Sequence, residues 1–378
     1  MAFSDAYSDA RRTLLERPAV AALALAVGYL LVDLVVKLAG VSVGVGGVHL
    51  LGGSTAVSQV GRYVLDGLIL GLVIGLAGVG LSMTYSILSF ANFAHGDYIT
   101  TGAFSGWVAA YVVAFFTLNL EVPFGSIFLL SAPSLVSVVN APIALLVGLV
   151  ASGLVTVGVV LLLDRIVYEP MRDKGGIPLL IASIGVALAL RYAIVFVFGT
   201  STEGVTQTGS IPAVRIPLVD GSVPLNAHEA TLIVASASLM FGVHFLLQRT
   251  KLGKAMRAMA DNKDLAQVTG IPTERVVRMT WIVGGGLAGV AGFLIVLERG
   301  TLNYNVGWRL LLLIFSGVIL GGIGSVYGAI GGGIIIGIAS RLSLVWIPSD
   351  FARVVAFAVM ILVLLYRPSG LFGGVKTA

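Results

Sequence analysis

The chain of 378 residues contains no cysteine and only four histidines. Without cysteine it can form no disulfide and offers no thiol as a nucleophile or a metal ligand. The histidines are His49, His95, His228 and His244, and their spacing fits no metal-binding motif. The sequence therefore predicts neither a metal centre nor a cofactor.

Charge is also scarce: charged residues make up 11% of the chain and hydrophobic residues 57%, with a mean hydropathy of +1.02. Apolar tracts recur at close to the length that crosses a hydrocarbon core of about 30 Å, and none alternates as the strands of a β-barrel would. We therefore predict an all-α polytopic membrane protein with a single transmembrane domain over residues 1–378. The lipid bilayer is its predicted surrounding, and no nucleic acid is predicted as a partner.

Nine apolar tracts can be distinguished, and the eighth has a glycine-rich waist. The tracts are Pro18–Leu38, Gly67–Phe90, Ala103–Leu118, Ala141–Leu163, Ile177–Phe198, Ala230–Leu247, Trp281–Leu297, Leu310–Ile338 and Val354–Tyr366. The waist at Gly321, Gly322, Gly324 and Ser325 predicts a break between two short spans or a re-entrant pair. The segment Val122–Val136, which contains two prolines, is predicted to be interfacial or re-entrant.

The orientation of the chain follows from its most basic loop, residues 249–278. Its basic residues are Arg249, Lys251, Lys254, Arg257, Lys263, Arg275 and Arg278, against Asp261, Asp264 and Glu274. Such a loop is expected in the cytoplasm, and alternation then places the amino terminus inside as well. The carboxyl terminus lies inside only if the eighth tract crosses twice, so we prefer ten crossings to nine.

The first tract, Pro18–Leu38, follows a basic stretch and so has two interpretations. It could be a signal peptide or a retained helix. Asp33 and Lys37 interrupt the tract, and no clear small-residue cleavage site follows it. We favour a retained helix.

Glycines recur at helical spacing in two of the tracts. Gly67, Gly71 and Gly75 are four residues apart, and the same spacing links Gly324, Gly328 and Gly332, and then Gly333 and Gly337. Small residues on one stripe let helix backbones approach closely in a membrane. This pattern predicts helix packing and no chemistry.

The chain lacks a phosphate-binding loop. Its Gly253–Lys254 pair is followed by Ala255, where such a loop needs Ser or Thr. We therefore expect no ATP hydrolysis and no enzyme activity from the chain itself. Energy for any transport would come from a partner or an ion gradient.

The basic loop contains good helix formers from Lys251 to Val268, followed by Gly270, Ile271 and Pro272, a pattern typical of a helix end. We predict one helix on the cytoplasmic face. It could dock into another protein, or its basic residues could bind anionic lipid.

A polar cluster between the second and third tracts, which we call the knot, comprises Asn92, Phe93, Ala94, His95, Gly96 and Asp97. Polar groups beside membrane-spanning tracts usually line a cavity or a helix break. The same residue types are ordinary in a solvated turn. Both interpretations stand at this point.

These segments resemble the branched-chain amino acid permeases of ABC importers, from about Tyr63 to Leu371. The knot is similar to the N-F-A-H-G-D signature of that family, and Asp264, Ala266 and Gly270 resemble its E-A-A-x-x-x-G coupling motif, with Leu265 in place of the middle alanine. Further similarity lies in Arg249–Ala258, in Tyr168, Pro170 and Arg172, in Gly284–Gly292 and in Gly321–Ser325. The segment Leu118–Ala141 is longer than is usual in the family.

The resemblance implies an importer in the cytoplasmic membrane of a prokaryote, with the helical bundle of type II ABC importer permeases and broken or re-entrant helices. Its implied partners are ABC ATPase subunits, a second and different permease subunit, and an external solute-binding protein. Loop 249–278, with Arg257, Asp264, Ala266 and Gly270, would contact the ATPase. Asn92, Phe93, His95, Gly96 and Asp97 would lie beside a pathway that works by alternating access.

Branched-chain or other apolar amino acids are the expected substrates, because Phe93 and Asp97 agree with the amino acid signature. Urea or short amides are the alternative. A secondary transporter would need several charged residues inside its spans, and only Arg191 lies clearly mid-tract. An intramembrane enzyme would need a nucleophile with its base or paired carboxylates, and no tract contains either arrangement.

Overall fold

The computed structural model describes residues 18–45, 48–117, 136–206 and 211–372, which are mostly helical. The helices are α1 (Pro18–Leu38), α2 (Val57–Leu88), α3 (His95–Thr117), α4 (Pro142–Leu163), α5 (Gly176–Phe198), α6 (Ala227–Arg249), α7 (Lys251–Asp261), α8 (Lys263–Val268), α9 (Thr273–Arg299), α10 (Val306–Gly321), α11 (Val326–Leu342) and α12 (Ala352–Tyr366). A π-helical turn (Asp164–Tyr168) and a 3₁₀ segment (Glu169–Lys174) follow α4, and short 3₁₀ turns precede α12.

The strands form three small antiparallel pairs. They are β1 (Ser42–Val45) with β2 (Val48–Gly52), β3 (Glu203–Gly204) with β6 (Thr301–Leu302), and β4 (Ala213–Leu218) with β5 (Gly221–Asn226). In the described part of the chain, eight helical segments are long and apolar enough to cross a membrane, and α10 is a shorter apolar helix. The prediction of an all-α polytopic membrane protein is confirmed.

The broken eighth tract consists of two antiparallel helices, α10 and α11, joined at residues 322–325. Gly322 and Gly324 turn the chain with φ of +106° and +87°, a conformation that glycine adopts without strain. The Ser325 hydroxyl then accepts a hydrogen bond from the Gly328 N–H at 3.0 Å and caps α11. The predicted break at Gly321, Gly322, Gly324 and Ser325 is confirmed as a helical hairpin.

Glycine contacts hold the central helices together. A Cβ atom on Gly71 of α2 would lie 2.7 Å from the Ile334 Cα of α11, and one on Gly292 of α9 would lie 1.9 Å from the Ile99 carbonyl oxygen of α3. Helix backbones at such distances leave no room for a side chain. The predicted packing role of the glycine stripes is confirmed.

Contacts between distant segments define two ends of the bundle. We call the first the loop end because it carries α7 and α8. There the Ser86 hydroxyl donates to the Gly324 carbonyl, and Arg172 binds Glu274. The Leu371 N–H donates to the Leu320 carbonyl at the same end. The placement of these segments at one end agrees with the alternating inside and outside loops predicted from charge. It also agrees with two crossings by the eighth tract. The loop end is the cytoplasmic one on the charge argument.

At the other end, which we call the hairpin end, Asp33 anchors α1. Its carboxylate accepts hydrogen bonds from the Trp346 indole N–H and the Gly52 N–H, both at 2.7 Å, and pairs with Lys37 at 2.9 Å. The charge that interrupts the first apolar tract is therefore satisfied by the rest of the bundle.

Two helices begin before the apolar tracts predicted for them, and one predicted segment lies almost wholly outside the described residues. Helix α2 begins at Val57 rather than Gly67, and Arg62 and Asp66, which lie before the apolar tract, pair within this helix at 2.9 Å. Helix α3 begins at His95 rather than Ala103, inside the knot. The predicted interfacial segment Val122–Val136 lies outside the described residues except for Val136.

The β4–β5 hairpin docks on the first turn of α2 through Asp220. Its carboxylate accepts hydrogen bonds from the Val57 N–H and, at 2.8 Å, from the Ser58 N–H. Because the Ser58 N–H donates to the charged form, the pKa of the Asp220 carboxyl is held below 3.8. The contact stabilises the hairpin fully above pH 3.8 and is lost as the pH falls through the lower folded-state pKa.

We therefore expect Asp220→Asn to expose the hairpin at neutral pH. Limited proteolysis between residues 213 and 226 should be faster in the variant at pH 7 than in the parent, whose cleavage should accelerate only below pH 3.8. Glu203→Gln, at the same end but away from α2, is the control. Equal cleavage of parent and Asp220→Asn at pH 7 would contradict the docking role.

We also expect Gly102→Ala to destabilise the bundle. The added Cβ would lie 2.1 Å from the Gly289 Cα, so the helices must separate, at a cost of about 1–3 kcal/mol. The matched control is Gly185→Ala on α5, where nothing lies within 4 Å of the added atom. Melting in detergent should show a lower midpoint for Gly102→Ala alone, and equal midpoints would refute the packing argument.

Candidate functional site

The knot lies at a break between α2 and α3 that is set deep in the bundle. The His95 Nε2–H donates to the Ala77 carbonyl at 2.9 Å. Ala77 lies eleven residues before the end of α2, about 16 Å along the helix axis. The chain therefore returns from the loop end as residues 89–94, which we call the connector, and α3 begins well inside the bundle.

The connector satisfies its backbone through specific side chains. Ser89 adopts a left-handed conformation and closes α2 by donating its N–H to the Tyr85 carbonyl. The Phe93 N–H donates to Ser183 Oγ of α5, and the Ala94 N–H donates to Asn92 Oδ1, both at 3.0 Å. Irregular backbone at this depth persists because protein groups replace water as hydrogen-bond partners.

Most of the predicted knot residues are buried. Asn92, His95, Gly96 and Asp97 are all inaccessible to solvent, whereas Phe93 is partly exposed. The Gly96 carbonyl lies so close to α10 that a Cβ on Gly307 would be 1.7 Å from it. The structure thus brings the five residues together, with Phe93 as the one that faces an open space.

Asp97 forms an ion pair with Arg191 of α5. The guanidinium donates from Nε at 3.1 Å to one carboxylate oxygen and from Nη2 at 3.0 Å to the other. It also lies 4.5 Å from the ring centre of Trp308 on α10. Sequence reasoning noted both charges but not their pairing, although two lone opposite charges in apolar tracts are a signal for it.

Phe93 borders an apolar cavity of about 450 Å³. The walls come from α2, the connector, α5, the α10–α11 hairpin and α12. They are formed by Leu81, Tyr85, Ala91, Phe93, Leu180, Leu312, Phe315, Ser316, Val318, Ile319, Ile323, Phe357 and Met360. The Phe93 and Phe315 rings lie 5.2 Å apart at its edge. The cavity suits an apolar group and offers few hydrogen-bonding partners.

The loop 249–278 contains two helices, so the prediction of one helix from Lys251 to Val268 is wrong. Asn262 is extended and separates α7 from α8. Its N–H closes α7 on the Ala258 carbonyl, and its Oδ1 caps α8 by accepting from the Leu265 N–H at 2.9 Å. Asn262 thus ends one helix and caps the next. The chain therefore turns at a position where helix propensity alone favours one continuous helix.

Helix α7 packs against the bundle, whereas α8 projects from it. Met256 and Met259 are buried, and Arg257 donates to the Leu247 carbonyl at the end of α6. On α8, Leu265 is 61% exposed and Val268 is 85% exposed. Of the four predicted coupling residues, Arg257 is therefore directed back to the bundle.

The end of α8 is fixed by Gly270. Its φ of +84° is left-handed, its N–H donates to the Gln267 carbonyl, and the Ile271 N–H donates to the Ala266 carbonyl. This Schellman motif needs a residue without a Cβ at that position. Ala266 is buried and Asp264 is exposed, so the other two predicted residues lie on opposite sides of the helix.

Residues 63–364, including the knot, the cavity and α8, match the family described as branched-chain amino acid transport system / permease component. The chain belongs to this family. Helix α1 and the β1–β2 hairpin precede the part that matches.

Several curated relatives carry the same description. The high-affinity branched-chain amino acid transport system permease protein BraD of Pseudomonas aeruginosa is 27% identical over 312 residues, which cover 82% of this chain and 95% of the relative. LivH of Escherichia coli K12, another such high-affinity permease protein, has the same identity and coverage. The probable LivH permease of Methanocaldococcus jannaschii is 29% identical over 323 residues, covering 82% and 92%.

A fructose import permease, FruG of Bifidobacterium longum, is 26% identical over 153 residues, or 38% of this permease-family chain. Related permease segments therefore occur in proteins named for different solutes. The substrate must be argued from the site itself.

We expect Asp97→Ala to destabilise the structure strongly. Arg191 would remain in the bundle without its carboxylate, a loss of about 3–5 kcal/mol. Asp97→Asn combined with Arg191→Gln removes both charges and should recover much of the loss. The control, Thr101→Ala, removes only a hydrogen bond to the Asp97 carbonyl. The measurement is the melting midpoint of each variant in detergent. An equal drop in midpoint for the single and double variants would contradict the pairing.

Proposed function

We propose that this chain is the permease subunit of an ABC importer that moves branched-chain or other apolar amino acids through alternating access. The observation that carries the proposal is the apolar cavity beside Phe93, within a region that matches branched-chain amino acid permeases. The chain would do no covalent chemistry. ATP hydrolysis would belong to partner subunits.

The cavity suits the hydrocarbon side chain of an apolar amino acid, whose ammonium and carboxylate groups would lie outside it in contact with water or a partner subunit. Urea or a short amide would need hydrogen-bond partners when water is removed, because burying an unpaired amide is costly. Leu312, Phe315 and Met360 offer apolar surface instead. The relatives described above carry the names of branched-chain amino acid permeases, so we retain that substrate class.

Phe93 would contact the solute, and the other knot residues would hold the connector. Asn92 and His95 bond to backbone groups, Gly96 permits the approach of α10, and Asp97 is bound to Arg191. Gly321, Gly322, Gly324 and Ser325 would fix the turn below the cavity. These roles explain why polar residues occur here without an open polar pocket.

Helix α8 would dock into an ATPase subunit. Exposed Leu265 and Val268 are three residues apart on one helical face, which suits an apolar groove of a partner. A lipid-anchor role would favour an excess of basic residues on the outer face, whereas the exposed charges of α8 are one lysine and one aspartate, Lys263 and Asp264, which cancel. Asp264, Ala266 and Gly270 would set the shape and charge of the docked helix.

A second permease subunit would cover the cavity side of the bundle. Helices α5 and α12 flank the cavity, and both leave most of their side chains exposed. An external solute-binding protein would deliver the solute at the hairpin end. The assembly would lie in the cytoplasmic membrane of a prokaryote as a multi-pass protein.

The test is uptake of radiolabelled leucine and urea into vesicles that contain this chain, its ATPase subunits, a second permease and the loaded binding protein. We expect leucine uptake that requires ATP and all of these components. Urea uptake would overturn the substrate class, and uptake independent of ATP would overturn the importer.

Variants of α8 test the coupling role within the same assay. Leu265→Asp should lower ATP-dependent uptake by about tenfold or more, because a charge would enter an apolar contact. Lys254→Gln, at an exposed position of α7, is the control and should retain uptake. Normal uptake by Leu265→Asp would contradict docking through this face.

A further inference from the structure

A line of buried contacts joins the connector region to the loop that carries α8. It begins at Tyr98, in the first turn of α3, whose hydroxyl lies 3.1 Å from the hydroxyl of Tyr168. Both tyrosines are 1% exposed. Tyr168 belongs to the π-helical turn after α4, so this hydrogen bond links two segments that are 70 residues apart.

The same π-helical turn holds an ionic junction at the loop end. Asp164 accepts two hydrogen bonds from Arg172, both at 2.6 Å, and Arg172 also binds Glu274. Glu274 lies in the first turn of α9, directly after the Gly270 motif that ends α8. Only Ile271, Pro272 and Thr273 separate Gly270 from Glu274, so α8 and the partner of Arg172 lie close together along the chain.

Aromatic packing connects these two contacts. The Tyr168 ring stacks on Trp281 of α9 at 5.2 Å with an interplanar angle of 19°, and it lies 5.6 Å from the ring of Phe90 in the connector. Tyr168 thus contacts α9, the connector and α3 at once. Its neighbours move with it because a close-packed interior transmits strain.

Two buried side-chain donors add to this line: that of Asn92 interacts with the Tyr98 hydroxyl, and that of Trp281 interacts with the Asp164 carboxylate. Both donors lie on elements that contact Tyr168 or Tyr98. They tie the connector to α3, and α9 to the Asp164–Arg172 pair.

We propose that Tyr168 is a positioning residue that couples α8 to the connector, through Trp281 and the Asp164–Arg172–Glu274 junction on one side and the Tyr98 hydroxyl on the other. This inference rests on the proposed function. When the ATPase subunits move α8, the start of α9 and Arg172 move with it, and Tyr168 transmits the change to α3. The residues bordering the cavity beside Phe93 then shift.

The absence of cysteine from the chain permits a direct test. A single cysteine introduced as Leu312→Cys, in the cavity wall, reports the opening of the cavity by its rate of reaction with a maleimide. The assembled complex is labelled without nucleotide and with ATP plus vanadate. We expect the two rates in the parent complex to differ by about fivefold or more.

Tyr168→Phe and Tyr98→Phe each remove one hydroxyl of the shared hydrogen bond. Each should abolish most of the nucleotide-dependent difference in labelling while retaining ATP hydrolysis, and the double variant should be no worse than either single one. Tyr111→Phe is the matched control, because it removes a buried tyrosine hydroxyl that donates to the Val205 carbonyl at the hairpin end. It should label as the parent does.

A nucleotide response in Tyr168→Phe equal to that of the parent would overturn the coupling role alone. Additive losses in the double variant would also overturn it, because the two hydroxyls would then act independently. A parent complex whose labelling ignores nucleotide, or which binds no ATPase, would overturn the proposed function and the coupling role with it. Melting midpoints of all variants separate these results from misfolding.

Discussion

The break between α2 and α3 is the constraint on which the rest of the structure depends. A chain that leaves helical geometry inside a hydrocarbon layer must satisfy its N–H and C=O groups with protein partners. The connector does so with Ser183 of α5 and Asn92, and the imidazole of His95 ties the start of α3 to the Ala77 carbonyl of α2. The hydrogen bonds made by the knot therefore stabilise the break at this depth in the bundle.

The glycine contacts have the complementary effect of making the centre of the bundle rigid. Helices α2, α9 and α11 approach each other backbone to backbone, as between Gly80 and Gly284 and between Gly71 and Ile334. Such contacts allow little sliding, because small displacements produce atomic overlap. We therefore expect these central helices to move together as one body, with relative displacement greatest at helices that pack less closely, such as α5 and α12 beside the cavity.

Local features of this fold were predictable from sequence. Apolar length located the helices, and Gly322 and Gly324 marked the hairpin in the eighth tract because glycine tolerates its positive φ. The end of α8 at Gly270 followed from the same property. Each of these features depends on residues close together in the chain.

Features that join distant segments were not predictable in this way. The Asp97–Arg191 pair spans 94 residues, and the cavity draws its walls from five separate elements. The corner at Asn262 was missed because the residues on both sides favour helix, and the capping bonds of its own side chain and backbone outweigh that preference. The contact of Arg257 with the Leu247 carbonyl of α6 was not predictable either, because the sequence does not say which side of α7 the bundle covers.

The two helices of the loop 249–278 differ in how far the bundle buries them. Helix α7 inserts Met256 and Met259 into the bundle and is held by the contact of Arg257 with α6, so it moves only with its supports. Helix α8 rests on the bundle through Ala266 and exposes Leu265 and Val268, so a partner can hold it without displacing buried side chains. Helix α9 follows α8 almost immediately and passes through the centre of the bundle. A force on the exposed face of α8 would therefore be applied to α9. Under the proposed coupling, a pull applied there would reach the connector through the packing around Trp281 and Tyr168 rather than being absorbed in the loop.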